Sequence, residues 1–266
     1  MDPQIQSTKN PLIRRFRAAA LGDAPDLMLA EGRRLVQEAL QAGCEVVEAA
    51  WSPRLRSVEG GQQVLDSLAR LGCQVHGCTD KVLDRVSQLA THQGISLVLR
   101  RPAHQLPDLL GDGQVAPLVV VVDGVRDPGN LGALVRSAEA AGATGMLVVA
   151  GSADPFRDKA LRGSAGSVFR LPVLPGMEAA ACVESLRSAG VRILVAADAE
   201  GAVPCWDVDL SRPTALVVGA EGCGVSDAFL ASSDERVVVP HADTVESLNV
   251  AVAAGVLLFE ARRQRR

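Results

Sequence analysis

The sequence predicts an α/β protein in which a parallel sheet with helices on both faces follows a smaller α/β domain. Residues 118–123, LVVVVD, are a β-branched run typical of a strand buried on both faces of a parallel sheet. Strand and helix patterns then alternate along the chain, as in doubly wound sheets. Three polar loops, two of which contain glycine, follow strand patterns, and the ends of such strands are where ligands bind.

The N-terminal part, residues 1–105, is predicted as a small α/β domain. Residues 31–43, EGRRLVQEALQAG, place apolar side chains on one side of a helix that stops at Gly43. The other predicted helices are 61–72 and 81–90, and the predicted strands are 45–53, 73–78 and 94–101. Residues 106–116 lie in a proline- and glycine-containing stretch with little periodicity, which predicts a linker.

Residues 117–266 form the second predicted domain. After the strand at 118–123, helices are predicted at 130–143, 177–190, 226–233 and within 245–266, and strands at 145–151, 191–198, 214–222 and 235–240. The segment 154–166 begins with Asp154-Pro155, a dipeptide that favours helix entry. The last helix begins near Ser247-Leu248-Asn249, where we expect Ser247 to be the cap and Asn249 to lie at the second helical position.

Composition excludes several classes of protein. The 266 residues are 48% hydrophobic and 22% charged, as in ordinary soluble domains. No apolar run reaches the roughly 18 residues of a membrane span, and the first residues lack the apolar core of a signal peptide. We therefore expect a cytoplasmic location and reduced cysteines. Cys73, His76 and Cys78 lie close together, but no second pair completes a zinc site, so we predict no metal.

The charge is unevenly distributed. Residues 1–105 carry 13 Lys+Arg against 11 Asp+Glu, whereas residues 106–266 carry 14 against 20. Basic residues concentrate near both chain ends, which suits an anionic partner held at particular places, although cations near a helix C-terminus also complement its dipole. Aromatic residues make up 3% of the chain, which disfavours a single-strand binder built on base stacking.

The first polar loop runs from Asp123 to Gly132. We expect Asn130 to cap the following helix and Arg136 to point toward the strand ends. Gly129 and Gly132 would let the backbone approach a partner. An ordinary strand–helix turn with a surface arginine explains this pattern equally well.

The second loop contains Gly219–Gly224, and the third loop consists of residues 240–249. Three glycines after a buried strand suggest a ligand lying against the main chain, although Glu221 could simply cap a helix. No dinucleotide fingerprint, P-loop, Ser-His-Asp arrangement or HExxH motif is present. An enzyme with this sequence must therefore work through Arg, Glu, Asn, Ser and backbone groups. This set suits the positioning of a reactive cofactor better than hydrolysis.

Together the three loops resemble the SpoU (TrmH-type) family of RNA ribose 2′-O-methyltransferases, within the SPOUT superfamily. The matching segments are DGVRDPGNLGALVRSAEAAGA, LVVGAEGCGVS and VPHADTVESLNVAVAAGVLLFE, in the family's order and spacing. The N-terminal segments STKNPLIRRF and LAEGRRLVQEAL resemble the family's substrate-binding domain, which looks like a small ribosomal RNA-binding protein.

The resemblance implies a C-terminal trefoil knot, S-adenosylmethionine as methyl donor, and a homodimer with its active site across the interface. It implies catalytic roles for Arg136, Asn130, Glu221, Ser247 and Asn249. The implied cofactor-binding residues are Val218, Gly219, Ala220, Glu221, Gly222, Val239, Pro240, Ser247, Leu248 and Asn249. The expected RNA-binding residues are Arg126, Arg136, Arg162, Ser164, Lys9, Arg14 and Arg33. For Arg162 and Ser164, a helix end closed by Gly163 and Gly166 is the alternative.

The family's proposed base or activator corresponds to Arg136. An arginine stays protonated, so it is implausible as a lone base. It could hold an RNA phosphate bidentately, with that phosphate or a water taking the proton, or it could stabilise the developing alkoxide. We expect 2′-O-methylation of ribosomal RNA, with 23S rRNA as the favoured substrate. The alternatives are a transfer RNA methyltransferase, a non-catalytic RNA-binding or ribosome-assembly protein, and a nucleotide-binding metabolic enzyme.

Overall fold

The computed structural model describes residues 4–89, 91–197, 201–220 and 222–266. The chain divides into two compact units: one contains the chain up to Pro102 together with Phe156–Phe169, and the other contains Ala103–Pro155 and Arg170–Arg266. The sequence did not indicate that Phe156–Phe169 belongs with the N-terminal part. The predicted boundaries at 105 and 117 stay predictions. No described helix is both long and apolar enough to cross a membrane.

The secondary structure follows the predicted alternation. The helices are α1 (Pro11–Leu21), α2 (Arg33–Gln41), α3 (Gly61–Arg70), α4 (Asp80–Asp84), α5 (Leu106–Leu109), α6 (Pro128–Ala141), α7 (Asp158–Ser164), α8 (Ala179–Ser188), α9 (Asp227–Ser232) and α10 (Val250–Gln264). The strands are β1 (Leu27–Glu31), β2 (Val46–Trp51), β3 (Val75–Gly77), β4 (Ile95–Arg100), β5 (Leu118–Asp123), β6 (Gly145–Val149), β7 (Val173–Met177), β8 (Arg192–Ala196), β9 (Val203–Pro204), β10 (Thr214–Gly219) and β11 (Glu235–Val238).

The first unit is built on a four-stranded mixed sheet in the order β1-β4-β2-β3. Strand β4 runs antiparallel to β1 and β2, and β3 pairs with β2 in parallel. Helix α1 buries Ile13 and Phe16 against Leu29 and Val98 on one face of the sheet. Helix α2 also packs on β1 and β4. Because side chains alternate along a strand, the buried neighbours of Leu29 and Val98 face α2 on the other side.

The second unit contains a seven-stranded sheet in the order β7-β6-β5-β10-β8-β11-β9, and every neighbouring pair is parallel. Helices α8 and α9 bury Leu186 and Phe229 against one face, beside Val119 and Val217. Helices α6 and α10 pack on each other, on β6 and on β10. The predicted parallel sheet with helices on both faces is confirmed, and the carboxyl ends of β5, β8, β10 and β11 lie along one edge.

Several local predictions were wrong. Helix α10 is capped by Asn249 instead of Ser247, and α6 is capped by Asp127, so Asn130 lies inside the helix. The Asp-Pro pair at 154–155 does not begin a helix, because α7 starts at Asp158. The helix expected over 81–90 is the short α4. Strands β1, β7 and β9 and helix α1 were not assigned individually from the sequence.

Candidate active site

The first turn of α6 places Asn130 at the edge of the sheet. Strand β5 ends at Asp123, and the Asp127 side chain accepts a hydrogen bond from the Asn130 backbone N–H at 2.8 Å. Pro128, at the first helical position, has no N–H that would need a partner. Asp127 therefore caps α6, which is the role that was predicted for Asn130, and the Asn130 side chain makes a different contact.

That contact is made with Asn249. The Asn249 Oδ1 atom accepts hydrogen bonds from the backbone N–H groups of Ala251 at 3.0 Å and Val252 at 3.3 Å. Because capping requires the oxygen, the Asn249 Nδ2 group faces away from the helix, and it donates to Asn130 Oδ1 at 3.1 Å. One asparagine thus begins α10 and joins the first and third polar loops.

The second loop is closed tightly on itself. The backbone N–H and C=O groups of Ala220 and Gly224 exchange hydrogen bonds of 3.0 and 2.9 Å. A Cβ atom on Gly219 would lie 2.3 Å from the carbonyl carbon and oxygen of Gly224, so only glycine fits there. Glu221, one of the predicted catalytic residues, lies outside the described residues.

Asp123 is a supporting residue that the sequence reading did not single out. The residue is 7% exposed, and its Oδ2 atom accepts a hydrogen bond of 2.7 Å from the Ser226 backbone N–H. This bond ties the end of β5 to the start of α9 and holds the first and second loops together. The signal was present in the sequence, because an acidic residue ends an otherwise apolar buried strand.

A cavity of about 450 Å³ opens where β8, β10 and β11 end. The predicted cofactor residues that line it are Val218, Gly219, Ala220, Gly222, Val239, Ser247 and Leu248. Pro240 and Asn249 were predicted with them but do not line it. The walls also include Ala196 and Ala197 from the end of β8 and His241 from the third loop. The strand-end rule could have found the two alanines, since β8 was itself predicted.

The lining of this cavity is mostly apolar side chains and exposed main chain. Among its described residues, only His241 and Glu246 carry titratable groups. His241 Nδ1 lies 2.9 Å from the Val239 carbonyl oxygen, which fixes the imidazole against the end of β11. Such a lining suits a ligand whose uncharged ring packs on Val218 and Leu248 while main-chain groups bind its polar edge.

A second cavity, of about 260 Å³, adjoins the first. It is lined by residues of the first and second loops and by the first residue of α10: Gly124, Val125, Arg126, Asp127, Asn130, Ala220, Cys223 and Val250. Ala220 and Val250 also line the larger cavity, so the two spaces share a wall. Arg126 is exposed and contributes the cation of the smaller cavity. The predicted RNA-binding residue Arg126 and the predicted catalytic residue Asn130 therefore meet there.

Arg136 lies elsewhere on α6. It is exposed, and its guanidinium makes no hydrogen bond or ion pair within the described part of the chain. Six positions separate it from Asn130, which at 3.6 residues per turn turns it about 120° away around the helix axis. Arg136 lines neither of these two cavities, and its catalytic and RNA-binding roles stay predictions.

The remaining RNA-binding candidates belong to the first unit. Arg33 and Arg162 line a cavity of about 640 Å³ together with Arg34, Gln37 and Gln93. Arg33 donates to Gln37 Oε1 at 2.6 Å, and Arg162 pairs with Asp158. At the same cavity Glu31 is 4% exposed, and burial raises the pKa of its carboxyl group.

The other three candidates have different surroundings. Lys9 and Arg14 are exposed, Lys9 just before α1 and Arg14 in its first turns. Ser164 is a correction: it is fully buried, and its hydroxyl donates to the Leu161 carbonyl at 2.8 Å, so the folded chain does not present it to RNA.

The chain matches two protein-family models of RNA methyltransferases. Residues 117–259 match the model of the SpoU rRNA Methylase family, and residues 29–105 match that of RNA 2′-O ribose methyltransferase substrate binding. The chain is similar to the 23S rRNA (guanosine(2553)-2′-O)-methyltransferase RlmP of Bacillus subtilis, with 33% identity over 97% of this chain and 99% of the relative.

Solved structures agree. The AdoMet-bound rRNA methyltransferase of Sinorhizobium meliloti superposes with a TM-score of 0.84 at 30% identity, over 98% of this chain and 97% of that one. The SpoU methyltransferase AviRb of Streptomyces viridochromogenes, in complex with AdoMet, gives 0.81 at 29% identity, over 96% and 99%. With more than half of its length matched by the family model and nearly all of it by these relatives, the chain belongs to the SpoU rRNA methylase family.

Proposed function

We propose that this protein transfers a methyl group from S-adenosylmethionine to a ribose 2′-hydroxyl of ribosomal RNA, with 23S rRNA as the favoured substrate. Family membership supports the reaction, and the relative RlmP acts on 23S rRNA. The observation that carries the proposal is the cavity at the ends of β10 and β11, because residues from the second and third family motifs form its walls, and Asn130 of the first motif lines the smaller cavity that adjoins it.

The described residues fit the proposed donor. S-adenosylmethionine, when bound, supplies a methyl group on a positively charged sulfur. Val218, Val239 and Leu248 would provide the apolar walls for its uncharged ring, and the backbone around Gly219 and Ala220 would provide its polar contacts. The absence of space for a Cβ atom on Gly219 supports this assignment, because it shows that the loop main chain is closely packed where it would bind the ligand.

We assign positioning of the ribose to the polar wall beside the cavity. Asn130 and Asn249 are hydrogen bonded to each other, and Ser247 is exposed at the cavity edge. Glu221 stays in the predicted set on the strength of the second motif. We assign Arg126, which lines the smaller cavity, the binding of a phosphate next to the reacting nucleotide.

Arg136 has the chemistry of a phosphate or alkoxide partner. A guanidinium keeps its proton in proteins, so the proton of the 2′-hydroxyl must go to an RNA phosphate or a water. Arg136 has no partner within the described chain, which leaves its fork of donors available for RNA. Because it lines neither cavity of its own chain, we propose that it acts in the site of a second copy.

We propose a homodimer formed through α10. Val252, Val256 and Phe259 are 54%, 42% and 52% exposed, and their spacing of four and three puts them on one stripe of the helix. An apolar stripe of this kind is unfavourable in water and typical of an interface. Gly255 lies in the same stripe with open space around it, which permits close approach of a second helix. Helix α6, which carries Arg136, packs beside α10.

The trefoil knot and the cytoplasmic location complete the proposal. Strand β10 lies in the sheet between β5 and β8, although β5 precedes it along the chain by far more residues than β8 does. This order supports a topology in which a late strand inserts between strands that were formed earlier in the chain. The family expectation of a knot is consistent with this order.

The test is methyl transfer from labelled S-adenosylmethionine to 23S rRNA, with the modified position mapped by primer extension at low nucleotide concentration. Arg136→Ala should abolish transfer while calorimetry still detects donor binding. Arg212→Ala removes an exposed arginine from the same unit and should leave transfer unchanged. Label in transfer RNA alone would favour the transfer RNA alternative, and no label in any RNA would refute the enzymatic proposal.

A further inference from the structure

A basic depression on the first unit lies outside every site described above. It has a volume of about 440 Å³ and is lined by Gln6, Thr8, Arg17, Lys81, Val82 and Arg85. Three of these six residues are cations, and none is acidic. The concentration is notable in a chain whose net charge is −4.

Three separate elements hold the depression in shape. Helix α1 supplies Arg17, and Lys81 and Arg85, four positions apart, come from the same side of the α4 turn. The N-terminal segment is fixed beside α4 because Ile5 pairs with the edge of β3: its N–H donates to the Gly77 carbonyl at 2.7 Å, and its carbonyl accepts from the Thr79 N–H at 3.1 Å.

The nearby acidic residues are engaged elsewhere. Asp84 lies 3.1 Å from His92 Nε2 and 3.9 Å from Arg54. The neighbouring Ser52 hydroxyl, with a smaller contribution from the charge of Arg54, lowers the pKa of Asp80. On α1, Arg15 pairs with Glu48.

The three lining cations are therefore not neutralised within the unit. The side chains of Arg17, Lys81 and Arg85 make no hydrogen bond or ion pair among the described residues. Unpaired cations grouped around a concave surface attract an anion, and their field is strongest where several converge.

We infer that this depression binds the sugar–phosphate backbone of the RNA substrate. The inference rests on the proposed function for the identity of the anion. Gln6 and Thr8 add the amide and hydroxyl donors that commonly bind phosphate oxygens. Among the described residues, no aromatic side chain lines the depression, so these residues offer no surface for stacking bases. The contact is therefore to phosphates and independent of nucleotide sequence.

Salt dependence provides the quantitative signature. Each phosphate neutralised by a cation contributes roughly 0.7 to 0.9 to the slope of log affinity against log salt concentration. Removing three such cations should lower that slope by about 2 to 3 and weaken binding to all RNA sequences to a similar extent.

The experiment compares two triple variants of the full-length protein. Arg17→Gln/Lys81→Gln/Arg85→Gln removes the three lining cations, and Arg70→Gln/Arg212→Gln/Arg236→Gln removes three exposed cations from elsewhere. Filter binding to a 23S rRNA transcript is measured from about 50 to about 200 mM salt, because phosphate contacts dominate affinity in this range. We expect the first variant to lose at least roughly tenfold in affinity with the reduced slope, and to show a raised KM for RNA with kcat and donor affinity retained. Arg17→Lys/Arg85→Lys, which keeps the charge, should retain most of the binding.

Each outcome is decisive. A wild-type slope in the first variant, or an equal loss in the second, refutes the RNA contact. A loss of affinity for heparin with unchanged affinity for rRNA also refutes it, since the depression would then bind polyanions other than the substrate. If the wild-type protein methylates no RNA but the first variant still loses rRNA binding, the contact stands and the proposed enzymatic function fails.

Discussion

The double use of Asn249 makes a prediction that separates folding from activity. Its oxygen caps α10 through the backbone of Ala251 and Val252, while its nitrogen donates to Asn130. Asn249→Ala removes both contacts. Asn249→Asp keeps an oxygen at the cap and replaces the donor with a second oxygen that faces Asn130.

The magnitudes follow from these bonds. Loss of an N-cap side chain costs about 0.5–2 kcal/mol, and loss of a neutral hydrogen bond costs about 0.5–1.5 kcal/mol. Asn249→Ala should therefore reduce the free energy of unfolding by about 1–3 kcal/mol. At roughly 2–4 °C per kcal/mol for a unit of this size, Tm should fall by about 2–12 °C. Asn249→Asp keeps the cap, and its charge is favourable at a helix N-terminus by about 0.3–1 kcal/mol. Its Tm should stay within about 3 °C of the wild type.

The assay pairs thermal unfolding with methyl transfer to rRNA. Asn249→Asp should fold like the wild type and lose most of its activity, because two facing oxygens force the Asn130 amide to turn. If Asn249→Asp is as unstable as Asn249→Ala, the capping account is wrong. If it is stable and fully active, the Asn249–Asn130 hydrogen bond has no part in the reaction.

Three further perturbations test other features. Gly219→Ala places a methyl group 2.3 Å from the Gly224 backbone, so we expect donor binding measured by calorimetry to be lost, and retained binding would contradict the cradle. Burial raises the pKa of the Glu31 carboxyl group above its ordinary 4.5, so the folded state favours the protonated form. The resulting stabilisation is complete below the ordinary pKa and is lost as pH rises through the folded-state pKa. The Tm of Glu31→Gln relative to wild type should therefore increase between about pH 4 and pH 7, and a constant difference would show that the carboxyl group is not perturbed. Val256→Asp/Phe259→Asp should convert a dimer into a monomer in sedimentation and reduce methyl transfer, whereas an unchanged sedimentation coefficient would place the interface elsewhere.

The sequence predicted best those elements that one simple rule governs. Strands β5 and β10 are uninterrupted β-branched or apolar runs, and both formed where expected. Strand β7 contains Pro175 and Gly176, and β9 has only two residues, so pairing with neighbours defines them and no local pattern reveals them. The Asp-Pro rule was sound but was applied at Asp154. The same dipeptide at Asp127-Pro128 caps α6, which releases the Asn130 side chain for the site.

The candidate site shows the same division. Strand ends located the three loops without any family knowledge, and the glycines of the second loop indicated close backbone packing. Propensity could not show that Asn249 is both cap and donor, because that depends on a partner 119 residues away. Arg136 follows Asn130 by six positions on α6, and this spacing turns it to another side of the helix, which a rule based on strand ends alone does not take into account.

The Asn130–Asn249 hydrogen bond has a consequence for the order of folding. It joins residues 119 positions apart, and the Asp123–Ser226 bond spans 103. Contacts of such long sequence separation require large loops to close before they contribute, which slows folding. During synthesis the first two motifs must wait for α10, and the donor pocket cannot exist until nearly the whole second unit has been made. A ligand that binds only the completed pocket should therefore stabilise the last step of folding, and refolding yield should rise when S-adenosylmethionine is present.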